Sequence, residues 1–315
     1  MKKNIVLLLF LTVVPYLLCV VFSLFSDNIH IGRGGNALAQ NLMGKDVLIE
    51  INGLYKNMDV EEYVVGVLPG IISAEYDEEA LKAQAILIRT NVLKEMEEKG
   101  TSDTADLSYE YLTVDERVAL FGERNYDRYE ERYERAVVDT AGLVLRKESS
   151  LIMAMYHEVS VGSTASAKEV LGEDVSYLQS VESSQDVEAK HYMNVIYFSW
   201  AELQDLEGQK NASKSEGTVV VKPKIAVLES TENGFVIKIS VNDNIYTGED
   251  AMVKYNLSST NFYVEEMEDG IRFVCLGKGN CLGLSQYGAN YMAQNGADYK
   301  EIINYYYTKI SLEKY

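Results

Sequence analysis

Glu75 lies in the break between two predicted helices, where a carboxyl group could transfer protons to and from a bound molecule. Apolar residues recur at helical spacing before the break. The Pro69–Gly70 pair ends the first helix, because proline lacks a donor N–H and glycine adopts backbone angles that other residues avoid. The second helix begins near Ser73 or Asp77, and either side chain can cap the exposed N–H groups. The alternative role for Glu75 is that of a solvated residue at a helix start, where the helix dipole favours a negative charge.

Two later stretches are rich in small, hydroxylated and amide side chains. Residues 156–164 follow a predicted strand and are typical of a binding loop, and residues 279–289 open an amphipathic helix. The side chains in these stretches and in the second helix that suit ligand binding are Arg89, His157, Ser160, Thr164, Asn280, Ser285 and Gln286. Each has a structural alternative: a surface salt bridge for the arginine, a hydrogen bond from a half-buried ring for the histidine, and capping or turn formation for the hydroxyl groups.

These stretches, in this order, resemble the stage II sporulation protein D (SpoIID) family, which also includes the amidase enhancer LytB. The resemblance begins with VEEYVVGV at residues 60–67, EALKAQ at 79–84 and RT at 89–90. In the loop at 156–164 the family pattern is Tyr-His-Ser-Thr-Ser-Gly-Gly-Xaa-Thr, which this chain matches at five positions. The C-terminal stretch GNCLGLSQYGA at 279–289 resembles the family pattern Gly-His-Gly-Val-Gly-Met-Ser-Gln-Tyr-Gly-Ala. Most of the chain after about residue 60 is therefore covered.

The resemblance implies activity on peptidoglycan, since the characterised sporulation members of the family are lytic transglycosylases. Such an enzyme needs one glutamate, which first protonates the leaving oxygen and then acts as a base. A hydroxyl group of the sugar itself replaces water and closes an anhydro ring. Ordinary glycosidases instead use two carboxyl groups.

Two departures from the family pattern fall on chemically demanding positions. The family's glutamate in the helix joint corresponds to Ile71, which cannot transfer a proton, and the family's histidine in the C-terminal stretch corresponds to Asn280. Glu75 lies four residues after Ile71 and could reach the same cleft if the joint is rebuilt. Two function hypotheses therefore remain: a peptidoglycan lytic transglycosylase that uses Glu75, or a catalytically silent relative that binds glycan strands or enhances an amidase. The partners that the resemblance implies are peptidoglycan glycan strands, together with a cell-wall amidase and membrane proteins of a remodelling complex.

The fold class expected is α+β, with a helical pair, mixed and antiparallel sheets and C-terminal helices, preceded by one transmembrane helix. Helices are predicted at 126–140, 283–294 and 299–307, with a short one beginning near Ser199. Strands are predicted at 46–53, at 143–145 and 151–156 as a hairpin, and at 219–221, 224–229, 235–241, 244–247, 261–265 and 271–276.

The N-terminus carries Lys2 and Lys3 before a nearly continuous apolar run at residues 5–25, long enough to span a bilayer as a helix. Positive charge before the run places the N-terminus in the cytoplasm and the rest outside. A cleavable signal is the alternative, although the small residues at 37–39 lie far beyond the run. A lipoprotein signal at Cys19 lacks the expected small residue before the cysteine. We therefore predict an uncleaved single-pass anchor at residues 1–25.

The rest of the chain divides at two composition changes. Residues 26–45 form a polar, glycine-containing linker. Residues 46–206 hold the helical pair and the loop at 156–164, called the Tyr-His loop. Residues 207–315 are β-rich and close with the helix predicted at 283–294, called the Ser-Gln-Tyr-Gly helix. Both parts are predicted to belong to one SpoIID-like module.

Composition excludes some function classes. The formal net charge of −19 argues against nucleic-acid binding, which needs a basic surface to neutralise phosphates. The apolar fraction of 47% permits a proper core. Cys275 and Cys281 are close enough in sequence to pair in an oxidising compartment or to remain two small unpaired residues. No histidine lies near them, which disfavours a metal site, and no cofactor is expected.

Overall fold

The computed structural model describes residues 42–208 and 222–315, and these residues form a mixed α+β structure, as the sequence predicts. Its helices are α1 (Val60–Val67), α2 (Glu78–Lys99), α3 (Val114–Phe121), α4 (Glu123–Asp139), α5 (Ala167–Val170), α6 (Trp200–Leu206), α7 (Gly248–Lys254), α8 (Gln286–Gln294) and α9 (Tyr299–Tyr306). Three 3₁₀ turns occupy Leu68–Gly70, Thr104–Asp106 and Ser184–Glu188.

Strands form five small sheets among the described residues. The first seven strands are β1 (Asp46–Ile51), β2 (Leu54–Asp59), β3 (Leu143–Lys147), β4 (Ser150–Leu151), β5 (Tyr156–His157), β6 (Met193–Ser199) and β7 (Ile225–Ser230). The others are β8 (Val236–Val241), β9 (Asn244–Thr247), β10 (Phe262–Glu266), β11 (Gly270–Leu276), β12 (Leu284–Ser285) and β13 (Ser311–Lys314). All pairs are antiparallel except β5 with β12, which run parallel and so join the Tyr-His loop to the start of α8.

The predicted anchor, the first part of the linker and the predicted strand at 219–221 lie outside the described residues. Within residues 42–208 and 222–315, no helix is long and apolar enough to cross a membrane.

Helix α2 is the centre of the fold, because it contacts two hydrophobic cores with opposite faces. One face packs with α1, α4 and the β1–β2 hairpin, and includes Leu81 and Ile88. The other face, with Ile86 and Leu87, packs against the C-terminal helices α8 and α9. The helix begins at Asp77, whose side chain accepts from the Glu79 N–H, and ends at Gly100 in the left-handed region. A helix buried on both sides needs no single apolar stripe, and α2 is buried all round from Ala83 to Leu93, including the polar Arg89 and Asn91.

A third core lies in the β-rich part of the chain. Sheets β6–β11–β10 and β7–β8–β9 enclose Phe273, Tyr255 and Ile239 together with α6 and α7. Strand β6 precedes residue 207 but pairs along its length with β11, from Gly270–Ser199 to Leu276–Met193. The described part of residues 207–315 thus completes a sheet that starts in the preceding segment.

The predicted hairpin is shorter than the sequence suggests. Only Ser150 and Leu151 pair with β3, and the chain then leaves the sheet until Tyr156 and His157 pair with β12. The other edge of β3 is occupied by β13, so the sheet is completed by the C-terminus of the chain. Strands β2, β6 and β13 and helices α3, α5 and α7 have no counterpart in the sequence-based prediction.

Candidate functional site

The helix joint is closed by the C-terminal stretch. Helix α1 ends in the 3₁₀ turn at Leu68–Gly70, and α2 starts only at Glu78, so residues 71–77 form the joint. The Gln286 side-chain Nε2 donates to the Ile71 carbonyl at 3.0 Å and to Gln84 Oε1 at 3.2 Å. Asn290 Oδ1 accepts from the Asp77 backbone N–H at 2.7 Å. Two side chains of α8 therefore hold both ends of the joint.

The Ile71 side chain is half-buried and packs against the first hydrophobic core. An apolar group thus occupies the joint where the family pattern has a glutamate. Glu75, the predicted catalytic residue, is exposed, and its carboxyl group accepts a hydrogen bond from the Tyr129 hydroxyl of α4 at 3.0 Å. The structure places Glu75 against α4, whereas Gln286 contacts the joint from α8.

The Tyr-His loop and the C-terminal stretch meet at a buried carboxyl group that sequence reasoning did not single out as a site residue. Asp186 is fully buried and accepts from the Ser160 backbone N–H at 2.7 Å and from the Ser285 hydroxyl at 2.6 Å through Oδ2. Its Oδ1 accepts from the Ser183 hydroxyl at 3.0 Å. These contacts define the Asp186 network. Ser183 and Asp186 also resemble the family pattern, and this resemblance is a sequence signal that could have identified the network.

His157 lies beside this network and is buried. Its Nδ1 is 3.0 Å from the Leu282 carbonyl, and its Nε2 has no hydrogen-bond partner among the described residues. Burial lowers the pKa of His157 to about 4, and the Leu282 carbonyl and Asp186 only partly oppose that shift. The ring is therefore neutral near neutral pH. Gly279 packs so closely that a Cβ there would lie 2.7 Å from His157 Cβ, which leaves no room for a larger residue.

Thr164 and Asn280 have mainly local contacts. The Thr164 hydroxyl accepts from the Val181 N–H at 2.9 Å, and its backbone pairs with residue 181, so it holds the loop together. Asn280 is half-buried, and its Oδ1 accepts from the Leu282 N–H at 3.0 Å. Within the described residues the Asn280 Nδ2 has no partner, which leaves one donor available at the rim.

Arg89, predicted as a substrate-binding residue or a surface ion pair, is instead an ion pair in the core. Its guanidinium group is fully buried, and its Nη2 lies 2.6 Å from Glu61 Oε2. The Leu143 carbonyl accepts from Arg89 Nη1 at 3.1 Å, and Glu61 also accepts from the Gly142 N–H at 2.7 Å. The pair ties α1, α2 and the start of β3 together, and its groups are turned towards protein.

Partly exposed polar groups lie at the edge where the Tyr-His loop meets the start of α8. Glu158 is half-buried beside His157, and its carboxyl group pairs with Lys278 at 2.5 Å. The Glu158 carbonyl accepts from the Tyr287 N–H at 3.0 Å, which places the start of α8 against the loop. Burial raises the pKa of Tyr76 to about 12, with Glu158 and Tyr287 adding to the shift. Tyr76, Tyr287 and Glu158 therefore line one edge.

Cys275 and Cys281 are buried and unpaired, so the disulfide alternative does not hold in this structure. In the part of the chain that is described, no group of three histidine, cysteine, aspartate or glutamate side chains could hold a metal ion.

In the described residues, a Tyr-His loop and a Ser-Gln-Tyr-Gly helix close onto a helical pair within a mixed α+β structure. A sequence model of the family described as "Stage II sporulation protein" (SpoIID) matches residues 52–146. The chain is 30% identical to stage II sporulation protein D of Bacillus subtilis (strain 168) over 289 residues, which cover 89% of this chain and 82% of that protein. The protein belongs to the stage II sporulation protein D family.

Two further relatives extend this similarity. The chain is 29% identical to stage II sporulation protein D of Bacillus amyloliquefaciens over 273 residues, or 84% of this chain and 76% of that one. It is 27% identical over 297 residues to a Bacillus subtilis (strain 168) protein named "Amidase enhancer", with 79% of this chain and 40% of that protein covered. Both names that the sequence resemblance suggested thus occur among the relatives.

Proposed function

We propose that this protein is a membrane-anchored, outward-facing peptidoglycan-remodelling protein of sporulation or of the cell wall, and that it binds glycan strands along the surface where the helix joint, the Tyr-His loop and the start of α8 meet. Its relatives are named for sporulation and for amidase enhancement, which supports this class. The geometry supports the proposed location of the site, because three stretches distant in sequence meet there.

The observation that carries the proposal is the pair of contacts made by neighbouring residues at the start of α8. Ser285 reaches Asp186 and through it the Ser160 backbone, while Gln286 reaches the Ile71 carbonyl. These bonds hold the loop and the joint at fixed positions on either side of one helix end. Rigid walls with hydroxyl, amide and phenol groups at the rim suit an uncharged polymer such as a glycan.

Strand binding without cleavage is the activity that the site supports best. The side chain at the joint is Ile71, and the carboxyl group of Glu75 bonds to Tyr129 on α4. Asp186 is saturated by three donors and buried, so it has no access to a glycosidic oxygen. The second candidate is a lytic transglycosylase in which Glu75 leaves Tyr129 and turns towards the bound strand.

The test is digestion of purified peptidoglycan, with and without its peptides, by a fragment of residues 42–315. Products are read by mass spectrometry, and strand binding is read by co-sedimentation. We expect strands to sediment with the protein and no anhydromuramyl products to form. If such products appear, and disappear in the Glu75→Gln variant, then the protein is a transglycosylase and the binding-only function is overturned.

The location of the protein is a separate part of the proposal. The apolar run at residues 5–25 with Lys2 and Lys3 before it supports a single-pass anchor with the bulk of the chain outside. Protease added to intact cells from which the wall has been removed should degrade residues after the anchor. Degradation only after the membrane is broken would place the chain on the cytoplasmic side.

A partner amidase is the remaining element. A relative named "Amidase enhancer" supports a role in which this protein presents strands to a cell-wall amidase or to membrane proteins of a remodelling complex. Release of stem peptides by a purified amidase should increase when the protein is added. An unchanged rate would remove this role and leave strand binding.

A further inference from the structure

Strand β6 lies at one edge of the sheet β10–β11–β6, and its outer side is unpaired in the part of the chain that the structure describes. At its two ends, the Tyr192 carbonyl accepts from the Gly277 N–H at 2.7 Å, and the Trp200 N–H donates to the Asp269 carbonyl at 3.2 Å. Because successive residues of a strand direct their backbone groups to alternate sides, the even-numbered residues of β6 face β11. The odd-numbered residues therefore direct their N–H and C=O groups to the free edge.

This edge lacks the features that keep edge strands from pairing with other chains. Native edge strands are commonly short, bulged, charged or interrupted by proline. Strand β6 has seven residues with no charge and no proline, and its register with β11 is unbroken. Other edge strands among the described residues are protected: β7 has two register shifts, β10 carries Glu265 and Glu266, and β9 has only four residues. The β6 edge is therefore open to an additional strand.

The outer face of the same strand is apolar and exposed. Met193 is 57% exposed, Val195 is 47% exposed and Tyr197 is 44% exposed. Their side chains alternate with those of Ile196 and Phe198, which pack against the third core on the other face of the sheet. A partner strand at this edge would gain backbone hydrogen bonds and apolar side-chain neighbours together.

The edge is complementary to itself. When two copies of β6 pair antiparallel about a two-fold axis at Ile196, Val195 of each copy lies opposite Tyr197 of the other. Both residues direct their N–H and C=O groups outward, so each such pair exchanges two backbone hydrogen bonds, and the symmetry repeats the pair. The same register places an aromatic side chain beside a β-branched one, which is a favourable cross-strand pair.

The charges beyond the two ends of β6 fit this register. Lys190 lies three residues before the strand and Glu202 three residues after it, so the two-fold axis brings Lys190 of one copy towards Glu202 of the other. Both residues are exposed, and Lys190 has no ion-pair partner among residues 42–208 and 222–315. The formal net charge of −19 opposes association through charged surfaces, whereas β6 is uncharged. Charge and register therefore favour a second copy as the partner.

We infer that the β6 edge is an interaction surface for a second copy of this chain, and that antiparallel pairing of β6 joins the two three-stranded sheets into one. The contact is narrow, so the dimer is weak and its population depends on protein concentration. The inference does not depend on the proposed function, because none of its residues is assigned to strand binding.

The test is oxidative cross-linking of the full-length chain in mild detergent, with Cys19→Ser in every sample to remove the N-terminal thiol. Ile196→Cys places the new thiol on the two-fold axis at a non-hydrogen-bonded pair, where the Cα atoms are about 4.5 Å apart and a disulfide can form. Asn194→Cys is the matched control, because it lies on the same strand but four residues out of register with its copy, about 14 Å away. We expect a cross-linked dimer from Ile196→Cys and none from Asn194→Cys.

A charge at the edge should weaken the pairing. Val195→Lys, added to the Ile196→Cys chain, should lower the cross-linked fraction about tenfold, since each dimer then holds two lysines opposite Tyr197 in place of valines. Val227→Lys is the control, because Val227 is also exposed on an edge strand, β7, and should leave cross-linking unchanged. A thermal melt confirms that each variant folds.

Amide hydrogen exchange of the natural chain separates the other possible occupants of the edge. We expect exchange at Val195 and Tyr197 to slow as protein concentration rises. Protection that is independent of concentration, without a cross-link, would mean that another segment of the same chain covers the edge. Protection that appears only with an added cell-wall amidase would assign the edge to that protein. Either result overturns the inference, as would fast exchange without a cross-link, or equal cross-linking of Ile196→Cys and Asn194→Cys.

Discussion

The helix joint and the Asp186 network meet at adjacent residues of α8, and they differ in what occupies their centres. The network is centred on a buried carboxyl group that three donors satisfy, from Ser160, Ser183 and Ser285. The joint is centred on the apolar Ile71 side chain, and its contact with α8 is made by a backbone carbonyl. A backbone contact does not depend on the side chain at that position. The assembly of the site and the chemistry in it can therefore change independently.

The largest effect is expected from placing an acid in the joint. Ile71→Glu should yield anhydromuramyl products from stripped strands where the natural chain yields none, because Gln286 already holds the backbone at this position. The half-buried location would also raise the pKa of the new carboxyl group, as a general acid requires. Mass spectrometry of digests checks this outcome.

The matched control is Ile71→Gln, because a glutamine side chain has nearly the same shape as a glutamate but cannot transfer a proton. Both variants should bind strands. If neither gives products although both bind, then the joint differs from a catalytic one in more than the residue at position 71.

The next largest effect is expected at Arg89. A role as a ligand contact and a role as a core ion pair predict different results when this residue is replaced. Arg89→Met leaves Glu61 buried and unpaired, so we expect the free energy of unfolding to fall by roughly 3–5 kcal/mol. Urea denaturation measures this loss. The double variant Arg89→Met/Glu61→Leu should recover much of it, because no buried charge is left. A stable Arg89→Met protein that no longer binds strands would return Arg89 to the binding site.

Asp186→Ala tests the Asp186 network. It should lower the free energy of unfolding by roughly 2–4 kcal/mol, somewhat less than Arg89→Met, since the serine donors lose a buried acceptor. Strand binding should fall as well, because Ser160 and Ser285 lose the group that joins them. Asp174→Ala, at an exposed position, is the control for removal of an aspartate. If Asp186→Ala is as stable as this control, then the network is not what holds the loop to α8.

His157 should make stability depend on pH. Its folded pKa of about 4 lies below the ordinary value of 6.5, so the unfolded chain binds more protons between these values. Stability therefore falls as pH drops from 6.5 towards 4, by up to about 3 kcal/mol from this residue. His157→Gln removes the titrating group and should flatten that part of the curve. Parallel curves for both proteins would show that the ring is not buried as neutral imidazole.

The sequence predicts the local elements of the fold well, because their signals are carried by adjacent residues. The break after Pro69, the start of α2 at Asp77 and its end at Gly100 all follow from capping and backbone preferences. The burial of Arg89 does not follow from such local preferences. It depends on Glu61 and on the chain near Gly142, which only the tertiary fold brings close to Arg89.

Strand β6 shows a second limit of sequence patterns. Met193, Val195 and Tyr197 are exposed although they are apolar or aromatic, while Asn194 is also exposed, so the polar–apolar alternation that marks a strand is missing. Asp186 shows a third limit. A lone aspartate after a serine is typical of a turn, and only its contacts across more than twenty residues to Ser160 reveal its role.

The smallest effect is expected at Cys281, where the family pattern has glycine. Substitutions at this position separate the contribution of backbone conformation from that of side-chain packing. Cys281 has a φ of 60°, in the left-handed region that favours glycine, and it is buried with Ala165, Phe235 and Leu282. Cys281→Gly relieves about 1 kcal/mol of backbone strain. It also loses a similar stabilisation from buried apolar surface, and it makes the unfolded chain more flexible, which lowers the free energy of unfolding. We therefore expect the free energy of unfolding to change by less than about 1 kcal/mol. Cys281→Val keeps the volume but adds a β-branched residue at positive φ, and it should destabilise clearly more. Equal stability of the glycine and valine variants would mean that packing at this position outweighs backbone conformation.

Burial raises the pKa of the Cys281 thiol to about 12, so the native protein should also resist alkylation at this position.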